Sequence, residues 1–349
     1  MALSLRRHDR LWAAPLLRSR LARPPATVCA TAPATLHVNH VLSSRFLTSD
    51  IFADLIDRAT AAAPPGRLVT QSCRPRRRAD VWHYHRANLE RRLLRPAVVT
   101  VHHDPHDDRD WLRLDHFLPR YREAVIIHCL NSRQASVLAE HGITHTRIIP
   151  HGVDREVFPI PQRPRQGPNE RLRLGVFSRW YATGAKGERA LDALFAHLDP
   201  QRISFVFVGR GRWRDAKTAR AQGFEARHWE RPPYPLMAEI YATIDALLIL
   251  SPFEGGPASL PEALGSGVPV LSTPVGMCRD LVQDGRNGLL LSGRAREDGD
   301  RIMGLLDGNG RGLAGLNRAA FDLAAEIPGW QTVMAQWHDL YVAAAAATR

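Results

Sequence analysis

Four side chains in the second half of the chain have the types and spacing to hold a phosphorylated sugar. Arg179 directly follows an apolar run, and Lys186 lies seven residues on, in WYATGAKGERAL. A planar guanidinium and an ammonium point charge so placed could neutralise a diphosphate. The flanking Gly184 and Gly187 would let backbone approach it. Glu254 sits where the apolar run 246–250 ends, and Glu262 stands in the first turn of a following helix, after GGPASLP. Two carboxylates would repel a phosphate but would accept hydrogen bonds from sugar hydroxyls, as acidic residues do with ribose in dinucleotide folds. Backbone N–H groups from Ala258 to Leu260 would point at an anion near that helix start. A Gly209–Arg210–Gly211 turn ends a further apolar run.

The first half offers HHDPHDD, in which His102, His103 and Asp104 follow a β-branched run. His, Asp and His could ligate a metal. The spacing matches no common hydrolase pattern, and a plain polar loop at a strand end is the alternative. The acidic Asp298 and Asp300 read as an ordinary helix start.

These residues need a scaffold of alternating strands and helices. Short runs, several of them β-branched and bounded by turn or polar residues, predict strands at 36–41, 68–71, 81–85, 97–102, 124–130 and 146–149, then at 172–177, 203–208, 226–229, 246–250, 268–272 and 288–291. Helices are predicted at 132–140, with Asn131 and Gln134 as a capping pair, and at 188–197, 212–222, 235–243, 261–266 and 329–347. Alternation of this kind implies parallel sheets covered on both faces. In such sheets ligands sit at the carboxyl ends of the strands, which is where Arg179, Gly209 and Glu254 fall. A stretch with four prolines, residues 159–170, reads as a stiff connector. The expected organisation is a basic extension (1–35), an α/β domain (36–158), the connector, a second α/β domain (171–328) and a terminal helix (329–349) able to pack back on the first domain.

The formal charge is +12, yet 45 of the 47 basic residues are arginine, and Lys186 and Lys217 are the two lysines. The charge permits an anionic partner without choosing one. Basic runs at 74–78 and 210–214 come with no zinc-finger, helix-turn-helix or RNA-recognition signature, so no nucleic-acid partner is expected. Four widely spaced cysteines argue against a disulfide framework and for a reducing cytoplasm. No apolar run is long enough to span a bilayer. The Arg-rich start permits peripheral contact with the inner face of a membrane.

With those residues in view, SPFEGGPASLPEALGSGVPVLSTPVGMCRDLVQDGRNGLLL resembles the donor-binding signature of GT-B-fold retaining glycosyltransferases of the family 4 type, with its E-x7-E pair. IIPHGVDREVFP, GVFSRWYATGAKG and FVFVGRGRW resemble that family's hinge-entry, diphosphate and Val-Gly-x-Gly segments, in the expected order. The resemblance implies a GT-B fold of two Rossmann-like domains facing across a cleft. It implies transfer of a sugar from a nucleotide diphosphate sugar, the co-substrate, with retention and with no metal or other cofactor. The acceptor would be a glycan, a lipid-linked sugar or a small molecule. Arg179 and Lys186 would hold the diphosphate. Glu262 would take the ribose hydroxyls. Glu254 would meet the transferred sugar, with Gly209, Gly255, Gly256, Pro257, Ala258, Ser259 and Leu260 around the donor. DVWHYHR and AVVTVHHDPHDD resemble the acceptor-side strands, and His102 matches a family histidine near the sugar. Ser43 and Ser44 replace a usual Gly-Gly pair, and His151 stands where Asn is usual; with His103 and Asp104 they form the expected acceptor side. A sugar-nucleotide epimerase of the same fold is the alternative, and a polyanion-binding protein a more distant one.

Overall fold

The computed structural model describes residues 35–42, 50–167, 171–307 and 312–347. Most of the expected basic extension, and the Ser43–Ser44 loop, lie outside them. The strands are β1 Leu36–Val41, β2 Arg67–Ser72, β3 Val81–Tyr84, β4 Ala97–Thr100, β5 Ile126–Cys129, β6 Thr146–Ile148, β7 Leu172–Phe177, β8 Ile203–Val208, β9 Glu225–Trp229, β10 Ala246–Ile249, β11 Val270–Ser272 and β12 Gly288–Leu290. They form two parallel sheets, ordered β2-β1-β3-β4-β5-β6 and β12-β11-β10-β7-β8-β9. The fold is therefore α/β with two tandem Rossmann-like halves, as the alternation predicts.

The chain divides into two compact units, crossing at Gly152/Val153 and returning at Ile327/Pro328. The first crossing precedes the proline-rich stretch. Residues after it are already fastened to the second-half unit: Arg155 donates to the carbonyls of Gly265 (3.0 Å), Ala324 (2.7 Å) and Ile327 (2.7 Å). Phe158 is buried with its ring edge-on to Tyr241. The prolines stiffen a segment that runs along this unit, where Arg165 donates to the Ala242 carbonyl at 2.9 Å.

The terminal helix Trp330–Ala346 belongs to the first-half unit and packs on β3, β4 and the helix Asp50–Ala61. Trp330, Val333, Trp337 and Tyr341 are buried along it. Burying an aromatic side chain is worth on the order of 2–3 kcal/mol, so the helix is a wall of that core. Cys73, Cys129 and Cys278 are unbridged. Among the described residues no helix is long and apolar enough to cross a membrane.

Candidate functional site

In each sheet the strand order reverses once, between β1 and β3 and between β7 and β10. A crevice forms at such a point because the connecting helices leave on opposite faces. The expected donor residues gather around the second reversal. Gly187 starts the helix Glu188–Phe195 in the left-handed region, φ +79°, and a Cβ there would lie 2.3 Å from the Leu250 carbonyl oxygen. The loop ahead of that helix is thus pressed onto the end of β10. Its path is set by the buried Glu188, which accepts from the N–H of Tyr181 and of Lys186, both at 2.9 Å.

The Lys186 ammonium pairs with the Glu254 carboxylate, which also accepts from the Ser251 hydroxyl at 2.9 Å. Thr273 Oγ1 donates to the Ser251 carbonyl at 2.8 Å. Gly276, φ +45°, lies so close beneath Glu254 and Gly255 that a Cβ would come 2.5 Å from the Glu254 carbonyl oxygen. The GG turn is therefore shaped from below by the turn after β11. The Cys278 thiol behind it is pushed up to about 12, chiefly by burial.

Arg179 is exposed, with its guanidinium 5.2 Å from the Tyr181 ring centroid. Gly209 turns at φ +136°, its N–H held by the Trp229 carbonyl. The backbone is already helical at Ala258, and the Leu260 N–H is taken by the Pro257 carbonyl, so it is not among the free donors expected there. Glu262 is fully buried and accepts from Tyr234 Oη (3.2 Å) and Tyr241 Oη (2.9 Å). A carboxylate has about four acceptor positions, so hydroxyls of a ligand would share it with these tyrosines. Asp298 accepts from the backbone of Ser292 and Gly293 at a helix start.

Sequence reasoning missed Arg212. It lies in the basic run 210–214, weighed only as a patch for an anionic polymer, yet it is fully buried. It donates to Asp215 (2.5 Å) and to the Ser178 carbonyl (2.9 Å), and lies 3.4 Å from Glu188. Burial raises the Asp215 pKa although Arg212 opposes it. Arg212 thus ties the end of β7 to the carboxylate that shapes the Lys186 loop. Replacement by methionine strands two buried acids, which should cost about 3–5 kcal/mol. The check is urea unfolding of Arg212→Met; a midpoint near that of the wild type would contradict the assignment.

In the first-half unit His102 is partly exposed at the end of β4. Its loop is tied down by Gln134, whose amide donates to the carbonyls of Val101 (3.1 Å) and His103 (2.9 Å) while Asn131 caps the same helix. Asp104 accepts from the His106 N–H, and Asp107 pairs with Arg109, so these two acids of HHDPHDD stabilise their own turn. His103 is buried against Phe117 with neither ring nitrogen hydrogen-bonded, and burial lowers its pKa to about 4. His151 is buried against Trp330, and at Gly152 a Cβ would lie 2.6 Å from the Trp330 backbone. Among the described residues, the group with nitrogens close enough for a cation is His40, His83 and His85, within 4.8 Å of one another. Every one of those ring nitrogens already has a hydrogen-bond partner.

Residues 171–307 match the model of the family described as Glycosyl transferases group 1. A D-inositol 3-phosphate glycosyltransferase from Xylanimonas cellulosilytica is 28% identical over 217 residues, 56% of this chain and 51% of the relative. The chain thus spans about half the length of that curated relative. Sucrose-phosphate synthase from Thermosynechococcus elongatus superposes with a TM-score of 0.70 at 15% identity, covering 89% of this chain and 100% of that one. HepE from Anabaena, solved in complex with UDP-glucose, gives 0.64 at 18% identity, covering 87% and 99%. The fold is GT-B, and the matched segment holds Arg179, Lys186, Glu254 and Glu262.

Proposed function

We propose that this GT-B-fold chain, whose residues 171–307 match the glycosyl transferases group 1 family, moves a hexose from a nucleotide diphosphate sugar to an acceptor hydroxyl with retention of configuration and without a metal. The observation that carries the reading is the Lys186–Glu254 pair at the β7/β10 reversal, with Arg179 just past the end of β7. Lys186 and Arg179 meet the charge that grows on the departing diphosphate, and fixed charges aimed at such a change lower the barrier directly. Glu254 is engaged by Lys186 and Ser251. That suits an acceptor of sugar hydroxyl bonds better than an attacking nucleophile. The acceptor hydroxyl then attacks from the face the diphosphate leaves, and a phosphate oxygen takes its proton. Glu262 holds the ribose hydroxyls together with its two tyrosines. On the first-half unit, His102 is assigned to the transferred sugar. HepE was solved with UDP-glucose, so a uridine diphosphate hexose is the first donor to try. Peripheral attachment to an anionic membrane belongs to the same reading.

The test is a panel of nucleotide diphosphate sugars in a melting assay, followed by incubation of the best stabiliser with candidate acceptors. Ligand at a hundredfold excess over Kd stabilises by about 2.7 kcal/mol. The expected outcome is one selective shift, then free nucleoside diphosphate together with a glycosylated product. Conversion of the donor to its epimer without release of diphosphate would replace transfer with epimerisation.

A further inference from the structure

Five histidines from four separate segments of the sequence meet at the carboxyl ends of β1, β3, β4 and β5, around the first sheet's reversal. Parallel pairing sets His40 beside His83, and Thr100 beside His128. The terminal helix adds Tyr341, and Trp337 lies against His40, His83, His85 and His128.

The polar atoms form one unbranched chain. His102 Nε2 is 2.9 Å from His85 Nδ1, and His85 Nε2 is 2.9 Å from His40 Nδ1. His40 Nε2 is 3.3 Å from Tyr341 Oη, which is 2.9 Å from His83 Nδ1. His83 Nε2 is 2.6 Å from Thr100 Oγ1, which is 2.9 Å from His128 Nδ1. His128 Nε2 ends the chain, 2.6 Å from the Ile149 carbonyl oxygen.

That last contact fixes every proton. A carbonyl only accepts, so His128 carries its proton on Nε2 and its Nδ1 must accept. Thr100 has one proton to give and gives it to His128, so it accepts from His83 Nε2. His83 Nδ1 then accepts from Tyr341, and Tyr341 accepts from His40 Nε2. By the same step His85 donates through Nε2 to His40, and His102 through Nε2 to His85. Burial holds these imidazoles neutral, His40 at about 3 and His128 at about 4, so none has a second proton to break the order.

We propose that this hydrogen-bonded chain locks the tautomer of His102, so that its Nδ1 offers a permanent lone pair to a hydroxyl of the substrate. The other members are positioning residues: they act through His102 and touch no substrate. His102 Nδ1 has no hydrogen-bond partner among the described residues, which leaves that lone pair for a ligand. The tautomer order stands on the hydrogen-bond geometry and on the burial that keeps the rings neutral, whatever the reaction. That the donor is a sugar hydroxyl rests on the function proposed above.

The experiment is a long-range proton–nitrogen correlation spectrum of the full chain with labelled histidine, near pH 7.5, with the His102 signal assigned by its loss in His102→Gln. All five rings are expected to be neutral with the proton on Nε2. Thr100→Val cuts the chain from its anchor, so His83, His40, His85 and His102 should become tautomer mixtures while His128 keeps its form. Tyr341→Phe cuts the chain beyond His83, two members farther from the anchor, so only His40, His85 and His102 should mix. A proton on Nδ1 of His102 in the wild type, or a mixture there, overturns the proposal. So does a stoichiometric metal in the purified protein that shifts the ring nitrogens of His40, His83 and His85. The spectrum reads the same whether or not sugar is transferred, so failure of the ordering and failure of the transferase reading are told apart.

Discussion

Lys186→Ala is expected to lower turnover by roughly two to three orders of magnitude, the usual effect of removing one preorganised charge or donor from a developing anion. The loop should survive the change. It is held by the backbone N–H of residue 186 on Glu188, by Tyr181 on the same acid, and by Gly187 against Leu250. The loss thus falls on the ammonium. It is compounded because Glu254, its partner, is left as an unbalanced carboxylate beside the diphosphate. Initial rates of nucleoside diphosphate release, with a melting temperature within a few degrees of the wild type, are the check. A folded variant at full rate would remove Lys186, and the ion pair with it, from the donor site.

Acid should unfold the first-half unit steeply. His40, His83, His85, His102 and His128 have their pKa values pushed down, first by burial and then by neighbouring charges, except that at His128 a hydrogen bond to the Ile149 carbonyl opposes burial. In the unfolded chain each titrates near 6.5. Above that value neither state binds the protons, and the native unit keeps its full stability. As pH falls below it, the unfolded chain takes up protons that the folded one refuses, so stability declines with pH. Each histidine contributes about 1.4 kcal/mol per pH unit, so the five together approach about 7 kcal/mol per unit. A domain is stable by only about 5–15 kcal/mol. Unfolding is therefore expected within one to two pH units below about 6, followed through the fluorescence of the buried Trp82 and Trp337. A transition involving no more than one or two protons would contradict the neutral, buried cluster.

The twelve strands were legible because most are short apolar runs, several of them β-branched, closed by turn or polar residues, and strand ends then located the donor residues. Helices without sharp punctuation were not. Asp50–Ala61 carries its buried Phe52, Leu55, Ile56 and Ala59 at helical spacing, a signal that was present but passed over. Gly312–Ala324 is rich in alanine and glycine, which blur the period. The proline-rich stretch suggested a boundary because composition reports stiffness and not attachment; Arg155 and Phe158 fasten the chain earlier. Arg212 was hidden in a run of arginines, since a lone sequence does not say which of several like charges turns inward. The histidine chain was beyond reach for a different reason. Its members come from four strands or their ends and from the terminal helix, and these segments become neighbours only through parallel register and packing, although the alternation in VWHYH hinted at imidazoles sharing a face.

The terminal helix has one more consequence, for the order in which the protein can be made. The first-half unit holds β1 to β6, yet the wall carrying Trp337 and Tyr341 is separated from them by the whole second-half unit. While residues 153–327 emerge from the ribosome, the first sheet waits with one side of its imidazole core uncovered. The second-half unit, one continuous stretch, can fold first although it is synthesised later. The wall that seals the earliest strands is thus synthesised only after the whole second-half unit.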